Sequence, residues 1–150
     1  MTDSMFPQYK PHTKNGYMLD EVASALQKAI RRGDEELALF FALELFPKYA
    51  AYAWRRIQVV SVEDIENPMA SVYVNAMRDA FFFNNKDVKN AEDYKNRIFI
   101  TKAVIALCRE TKSREADHAQ KFIDQWVESG TLPKIPDYAF DVHTKQGRIS

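Results

Sequence analysis

Arg55 and Arg56 stand two helical turns ahead of Glu63 and Asp64 in the run Ala53-Trp-Arg-Arg-Ile-Gln-Val-Val-Ser-Val-Glu-Asp-Ile65. Groups of these types at this spacing can do two kinds of chemistry. Guanidinium and carboxylate can pair with each other through charge-assisted, often bidentate hydrogen bonds, or the arginines can take phosphate oxygens. Adjacent helical positions point about 100° apart, so Glu63 and Asp64 make a poor metal chelate and suit capping or salt bridging better. Carboxylates near a helix C-terminus face the negative end of the macrodipole. A neighbouring arginine should therefore compensate them, or a new turn should begin there. Ser61, three residues before Asp64, has capping-box spacing for such a turn.

A second set of chemistry-bearing residues lies near the two ends. His12-Thr-Lys-Asn-Gly16 is echoed by His143-Thr-Lys-Gln-Gly147, with Arg148 following. Each stretch offers an imidazole, a hydroxyl, an ammonium and a glycine, which suits phosphate or carboxylate contacts. The candidate anion or nucleic-acid contacts here are His12, Lys14, His143, Lys145 and Arg148, although ordinary loop composition produces such runs too. Basic residues also gather as Lys28, Arg31 and Arg32, as Arg55 and Arg56, and as Arg109, Lys112 and Arg114. The first and third groups read either as a phosphate-binding face or as helix-terminal charge that complements the macrodipole; Arg55 and Arg56, mid-helix beside Trp54, read either as a phosphate-binding pair or as part of an internal network with Glu63 and Asp64.

Other site chemistry has no signature. Neither G-x-x-x-x-G-K-[ST] nor G-x-G-x-x-G occurs, so no phosphate loop is expected. No Cys or His cluster has zinc spacing. The single Cys108 lies in an apolar helical run and reads as a small buried hydrophobe; it excludes a disulfide framework and fits a reducing compartment. No catalytic residue, metal or cofactor is expected.

The elements that must position these groups are helical. The chain has 150 residues with 46% hydrophobic and 13% aromatic content, enough for a single domain with a real core. Basic and acidic residues balance at 21 each, so any nucleic-acid binding must come from local patches. No 18-residue apolar run or signal-peptide core occurs, and the expected location is cytoplasmic. Strand alternation with turn dipeptides is missing. The expected fold is an all-α bundle of about six helices: an extended arm over 1–16, a helical domain over 17–130, and a tail over 131–150 packing on it.

Along the chain, Leu19, Val22, Ala23, Leu26 and Ile30 give a first helix its apolar face from about Met18 to Arg32. Gly33 should stop it and Asp34 cap the next. The second helix, from Glu35 to Phe46, is apolar nearly all round, which demands cover from other helices or another subunit. Pro47 can open a third helix. Asn67-Pro68 starts a fourth, carrying Met69, Val72, Tyr73, Ala76, Met77 and Ala80 at helical spacing. Phe81, Phe82 and Phe83 cannot all face one core, so at least one should reach a partner or a returning segment. Phe6 and Tyr9 could pin the first arm. Asn90 with Asp93 suggests a cap for a fifth helix reaching about Thr111. Ser113 caps a sixth, in which Ala116, Ala119, Ile123, Trp126 and Val127 form a stripe expected to be buried.

These segments, in this order, resemble a known family. The carriers are Ser24-Ala-Leu-Gln-Lys-Ala-Ile-Arg31 with Gly33-Asp34, Ala38-Leu-Phe-Phe-Ala-Leu43, and Ala53-Trp-Arg-Arg-Ile57 with Ser61-Val-Glu-Asp-Ile65 and Asn67-Pro68. Lys102-Ala-Val-Ile-Ala-Leu107, Thr111-Lys-Ser113 and Ile135-Pro-Asp-Tyr138 follow. From about Tyr17 to Arg148 the chain resembles the C-terminal helical region of the replication-associated recombination protein A family. These are clamp-loader-like AAA+ ATPases, whose eukaryotic relatives include the Werner-helicase-interacting protein. The resemblance implies a domain related to the collar of clamp loaders, which assembles subunits beside the ATPase ring. It also makes Arg55, Arg56, Ser61, Glu63 and Asp64 the family-signature positions. The family's ATPase module has no counterpart here, so the chain is not expected to hydrolyse ATP.

Two functions are therefore expected from different classes. One is a non-enzymatic oligomerisation or adaptor domain in DNA replication, recombination or repair, forming a dimer or tetramer and docking a replication or repair protein or DNA, with no membrane partner. The alternative is a small helical anion-binding protein or enzyme, with its site where the two His-Thr-Lys-x-Gly arms meet near Arg55 and Arg56.

Overall fold

The computed structural model describes residues 10–149. It contains α1 (Leu19–Arg32), α2 (Glu35–Glu44), α3 (Ala50–Glu63), α4 (Ala70–Asn84), α5 (Ile98–Arg109), α6 (Glu115–Glu128) and a short α7 (Lys145–Ile149). Among the described residues there is no strand, only isolated bridges between His12 and Met18 and between Ile65 and Lys112. The all-α expectation holds. The chain divides into two compact units, Met1–Ala116 and Asp117–Ser150. Phe6 and Tyr9, expected as pins for the first arm, lie outside the described residues.

In the first unit α1 forms as its sequence dictates. Val22, Ala23, Leu26, Ala29 and Ile30 are buried, with Asp20 and Glu21 in the first turn and Arg31 and Arg32 in the last, which suits the macrodipole. Gly33 ends it in the left-handed region (φ 70°), its N–H reaching the carbonyls of Ala29 and Ile30. A Cβ there would also lie 3.2 Å from the Cys108 carbonyl oxygen, so conformation and space both call for glycine. Asp34 then caps α2 by accepting from the Leu37 N–H.

The core closes between α1, α2, α3, α4 and α5. Trp54, Phe46 and Phe81 are its largest buried side chains. Phe81 meets Phe46 edge-on at 5.5 Å and Trp54 at 5.8 Å, each pair adding about 0.5–1.5 kcal/mol beyond area burial. The Trp54 indole N–H is buried without a hydrogen-bond partner among the described residues, a local cost of about 1–3 kcal/mol that this packing must outweigh. Cys108 is buried, as its apolar run predicts.

The phenylalanine run splits three ways. Phe81 is buried, Phe82 half-buried and Phe83 exposed. A returning segment covers the first two: Tyr94 packs at 5.5 Å from Phe81 and 5.8 Å from Phe82. Buried Asn85 fixes that return, since its Nδ2 donates to the carbonyls of Phe81 and Lys95 and its Oδ1 accepts from the Lys95 N–H.

Three expectations need correction. α3 runs unbroken to Glu63, and the Ser61 hydroxyl donates to the Gln58 carbonyl instead of opening a new turn. α4 buries Ala70, Val74 and Phe81 and packs Tyr73 and Met77 of the expected face against the core, while Met69, Val72 and Ala76 of that face are exposed. The fifth helix does not start at Asn90. A single 3-10 turn occupies Ala91–Asp93, Asn96 takes φ 68°, and α5 begins at Ile98. Within one chain α2 leaves Leu37 and Phe40 exposed. Phe40 instead joins Tyr17 and Phe41 in an edge-to-face cluster with centroids 5.3–6.3 Å apart.

The second unit holds most of α6, a 3-10 turn at Asp137–Ala139 and α7. None of its described residues is buried. The expected buried stripe of α6 is therefore corrected: Ala116, Ala119, Ile123, Trp126 and Val127 are exposed, and Phe122 with them. The i, i+3, i+4 spacing that makes a helix amphipathic says nothing about what covers its apolar face.

Candidate functional site

The seam between α1 and α3 gathers most of the signature residues. Asp64 caps the C-terminus of α3 with 0% of its side chain exposed. Its carboxylate accepts from Arg31 Nε at 3.1 Å and from Gln27 Nε2 at 3.0 Å. Arg114 approaches the same oxygen at 3.5 Å and reaches Glu63 at 3.5 Å. Two backbone stitches hold Arg114 there: Ser113 N–H donates to the Asp64 carbonyl and Glu66 N–H to the Thr111 carbonyl. Gln27 and Arg31, one turn apart on α1, thus meet acids more than thirty residues away.

Here the sequence reading is corrected in part. Glu63 and Asp64 are compensated by neighbouring arginines, but these are Arg31 and Arg114, not Arg55 and Arg56. Arg56 enters the network through a neutral group, donating from Nη1 to Gln27 Oε1 at 3.4 Å. Arg55 is exposed, as are Lys28 and Arg32, and none of the three has a partner among the described residues. Arg109, of the third basic group, pairs bidentately with Glu35 at 2.9 and 3.1 Å and clips α5 to α2. Lys112 Nζ donates to the carbonyls of Cys108 and Glu110 at the end of α5.

The first arm is built around a carboxylate that sequence reasoning passed over. Glu44, the last residue of α2, is only 3% exposed. It accepts from the Thr13 hydroxyl, from the Asn15 N–H at 2.9 Å and from Asn15 Nδ2. Burial pulls the Glu44 carboxyl upward, yet the bonds from Thr13 and Asn15 and the Lys14 ammonium outweigh it, and its pKa lies below the ordinary value. His12 and Lys14 are exposed. They line a cleft of about 170 Å³ with Glu44, Lys48 and Tyr49. Arg55 and Arg56 do not line that cleft. An acid placed among apolar residues at 41–46 was the signal that could have revealed Glu44.

The second arm uses the same residue types differently. Thr144 accepts the Gly147 N–H on its hydroxyl and caps α7, while the His143 N–H bonds Asp141 Oδ1. A Cβ on Gly147 would collide with the Asp141 backbone. The echo between the two stretches therefore hides distinct local jobs: Thr13 tethers a loop to a buried acid, and Thr144 starts a helix. His143, Lys145 and Arg148 are exposed.

Among the described residues no group of three or more His, Cys, Asp and Glu could hold a metal ion. Among the described residues no helix is long and apolar enough to cross a membrane. Burial pushes the Cys108 thiol up to about 11, which keeps it protonated and unreactive near neutrality. No protein-family model matches the chain, and no curated protein is significantly similar to it.

Proposed function

We propose that this chain is a non-enzymatic assembly and adaptor domain that works with DNA replication, recombination or repair machinery, as its resemblance to a clamp-loader collar implies. The observation that carries the reading is α6, whose Phe122, Ile123, Trp126 and Val127 lie on one stripe and remain exposed. A unit of about 34 residues with no buried side chain among those described is too small to hold its own core and needs cover from elsewhere. The outer face of α2, with Tyr17, Leu37 and Phe40, adds a second exposed apolar surface in the first unit. Exposed apolar groups of this extent mark interaction surfaces in soluble proteins. The occupant we assign is a second copy of the chain. Light scattering behind size exclusion tests this: a dimer or tetramer across a wide concentration range supports it, and a strict monomer contradicts it.

A further inference from the structure

We infer that the groove between the end of α3 and the α4–α5 pair is a docking site for a second copy of the chain, which inserts its extended segment Leu132-Pro-Lys-Ile135. The inference rests on the self-assembly proposed above and adds the receiving surface and the segment that enters it.

The receiving surface consists of two clefts of about 270 Å³ each that share Asn67. Val62, Ile65 and Pro68 line the first, and Met69, Tyr73 and Leu107 the second. Val62 and Met69 are 58% and 60% exposed, so apolar wall is open to solvent within one chain. Among the described residues the charged side chains on these walls are all acids: Glu66, Glu110 and Glu115. None of the three carboxylates has a cationic partner among the described residues, and Glu110 accepts from the neutral amide of Asn67 at 3.3 Å. The neighbouring cations are engaged elsewhere. Lys112 Nζ donates to the Cys108 and Glu110 carbonyls, Arg114 reaches Glu63 and Asp64, and Arg109 pairs with Glu35. Lys102 stands one turn before Ala106 on α5 and is not on either wall.

The segment that fits this groove is in the second unit. Residues 131–136 form neither helix nor strand, and all are exposed. Pro136 has φ −69° and ψ 153°, the polyproline II region. Pro133 and Pro136 stiffen the stretch and remove two N–H donors that would otherwise lose water on docking. At three residues per turn Leu132 and Ile135 share one edge, roughly 9 Å apart. Both are 67% exposed, and this spacing offers one apolar anchor to each cleft. Lys134, between them, has no partner among the described residues.

Charge selects this segment over α6 as the occupant. Beyond Glu115, α6 carries Asp117, Asp124 and Glu128 against a single lysine, Lys121, which already pairs with Asp117. Acidic walls repel such a helix and attract Lys134. Asp137 follows Pro136 and lies outside the anchored stretch. Two anchors and one charge pair cover far less than the roughly 800 Å² per partner of a standard interface. In a two-fold dimer the contact forms twice, and it adds to the α6 stripe without replacing it.

The test begins with light scattering of the full chain over a concentration series. Leu132→Ser with Ile135→Ser, both at exposed positions, should weaken self-association at least about tenfold. Lys134→Glu should weaken it about two- to fivefold. Disulfide cross-linking then locates the contact. Copies carrying Ser71→Cys, on the groove wall, are mixed with copies carrying Thr131→Cys, beside Leu132, under mild oxidation. A link between unlike chains is expected. A link formed only within a chain carrying both cysteines gives the groove to the chain's own tail and overturns the inference. So does the absence of any link, which leaves the groove to a different protein, and so does unchanged association in the Leu132 and Ile135 variant. The two readings separate cleanly. A dimer indifferent to the tail variants removes only this groove. Association lost in the tail variants but kept in Ile123→Asp with Trp126→Asp removes only the α6 interface, and a native monomer removes both.

Discussion

Arg31 places Nε 3.1 Å from Oδ1 of Asp64, a carboxylate fully shielded from solvent at the end of α3. That contact ties the last turn of α1 to the last turn of α3 and sets Gln27, one turn earlier, where it can hold Arg56. A buried acid that loses its charge leaves its guanidinium partners uncompensated. Asp64→Asn should lower the unfolding free energy by about 2–3 kcal/mol, below the range for a fully buried pair because Arg31 and Arg114 are about a third exposed. Urea denaturation measures it. Arg55→Ala, by contrast, should stay within about 0.5 kcal/mol of the native chain; equal losses for both substitutions would refute the assignment of Asp64 as the structural acid.

Glu44 predicts how the protein responds to acid. Its pKa is lowered in the folded chain, so it contributes stability above the ordinary carboxyl value of 4.5, and that stability is lost as pH falls through the folded value. Glu35, held down by its hydrogen bonds to Arg109, acts in the same direction. Stability should therefore drop as pH is taken below about 4.5, and Glu44→Gln should flatten that drop while costing about 1.5–3 kcal/mol at neutral pH. Thermal midpoints of both chains between pH 3 and 7 decide; parallel curves would remove Glu44 from the account.

Gly33 offers a backbone test. An alanine there must adopt φ near 70° and set its Cβ 3.2 Å from the Cys108 carbonyl. Gly33→Ala should destabilise by about 1–2 kcal/mol. A change near zero would mean that the α1–α2 turn relaxes freely.

The thiol of Cys108, pushed up to about 11 by burial, should react with a disulfide reagent at pH 8 only after unfolding. Rapid labelling of the native chain would contradict the packing of α5.

The fold was legible where local signals and tertiary contacts agree. Gly33 and Asp34 punctuate α1 and α2 as their side-chain chemistry requires, and Ser113 bonds the Glu115 N–H at the start of α6. The site was legible by residue type but not by pairing. Glu63 and Asp64 call for arginines, yet Arg31 and Arg114 come from elements far along the chain, and no local spacing distinguishes them from Arg55 and Arg56. Glu44 escaped notice because its partners sit in a loop about thirty residues earlier. The α6 stripe was read as buried because periodicity reports an apolar face and is silent on what covers it.

The assembly reading turns on that stripe. Light scattering should be run on the native chain and on Ile123→Asp with Trp126→Asp, over a wide concentration range. The account predicts a stable dimer or tetramer for the native chain and a folded monomer for the variant, because the substituted positions are exposed and lie outside the buried core of the first unit. A native monomer, or a variant that keeps the native mass, would contradict it.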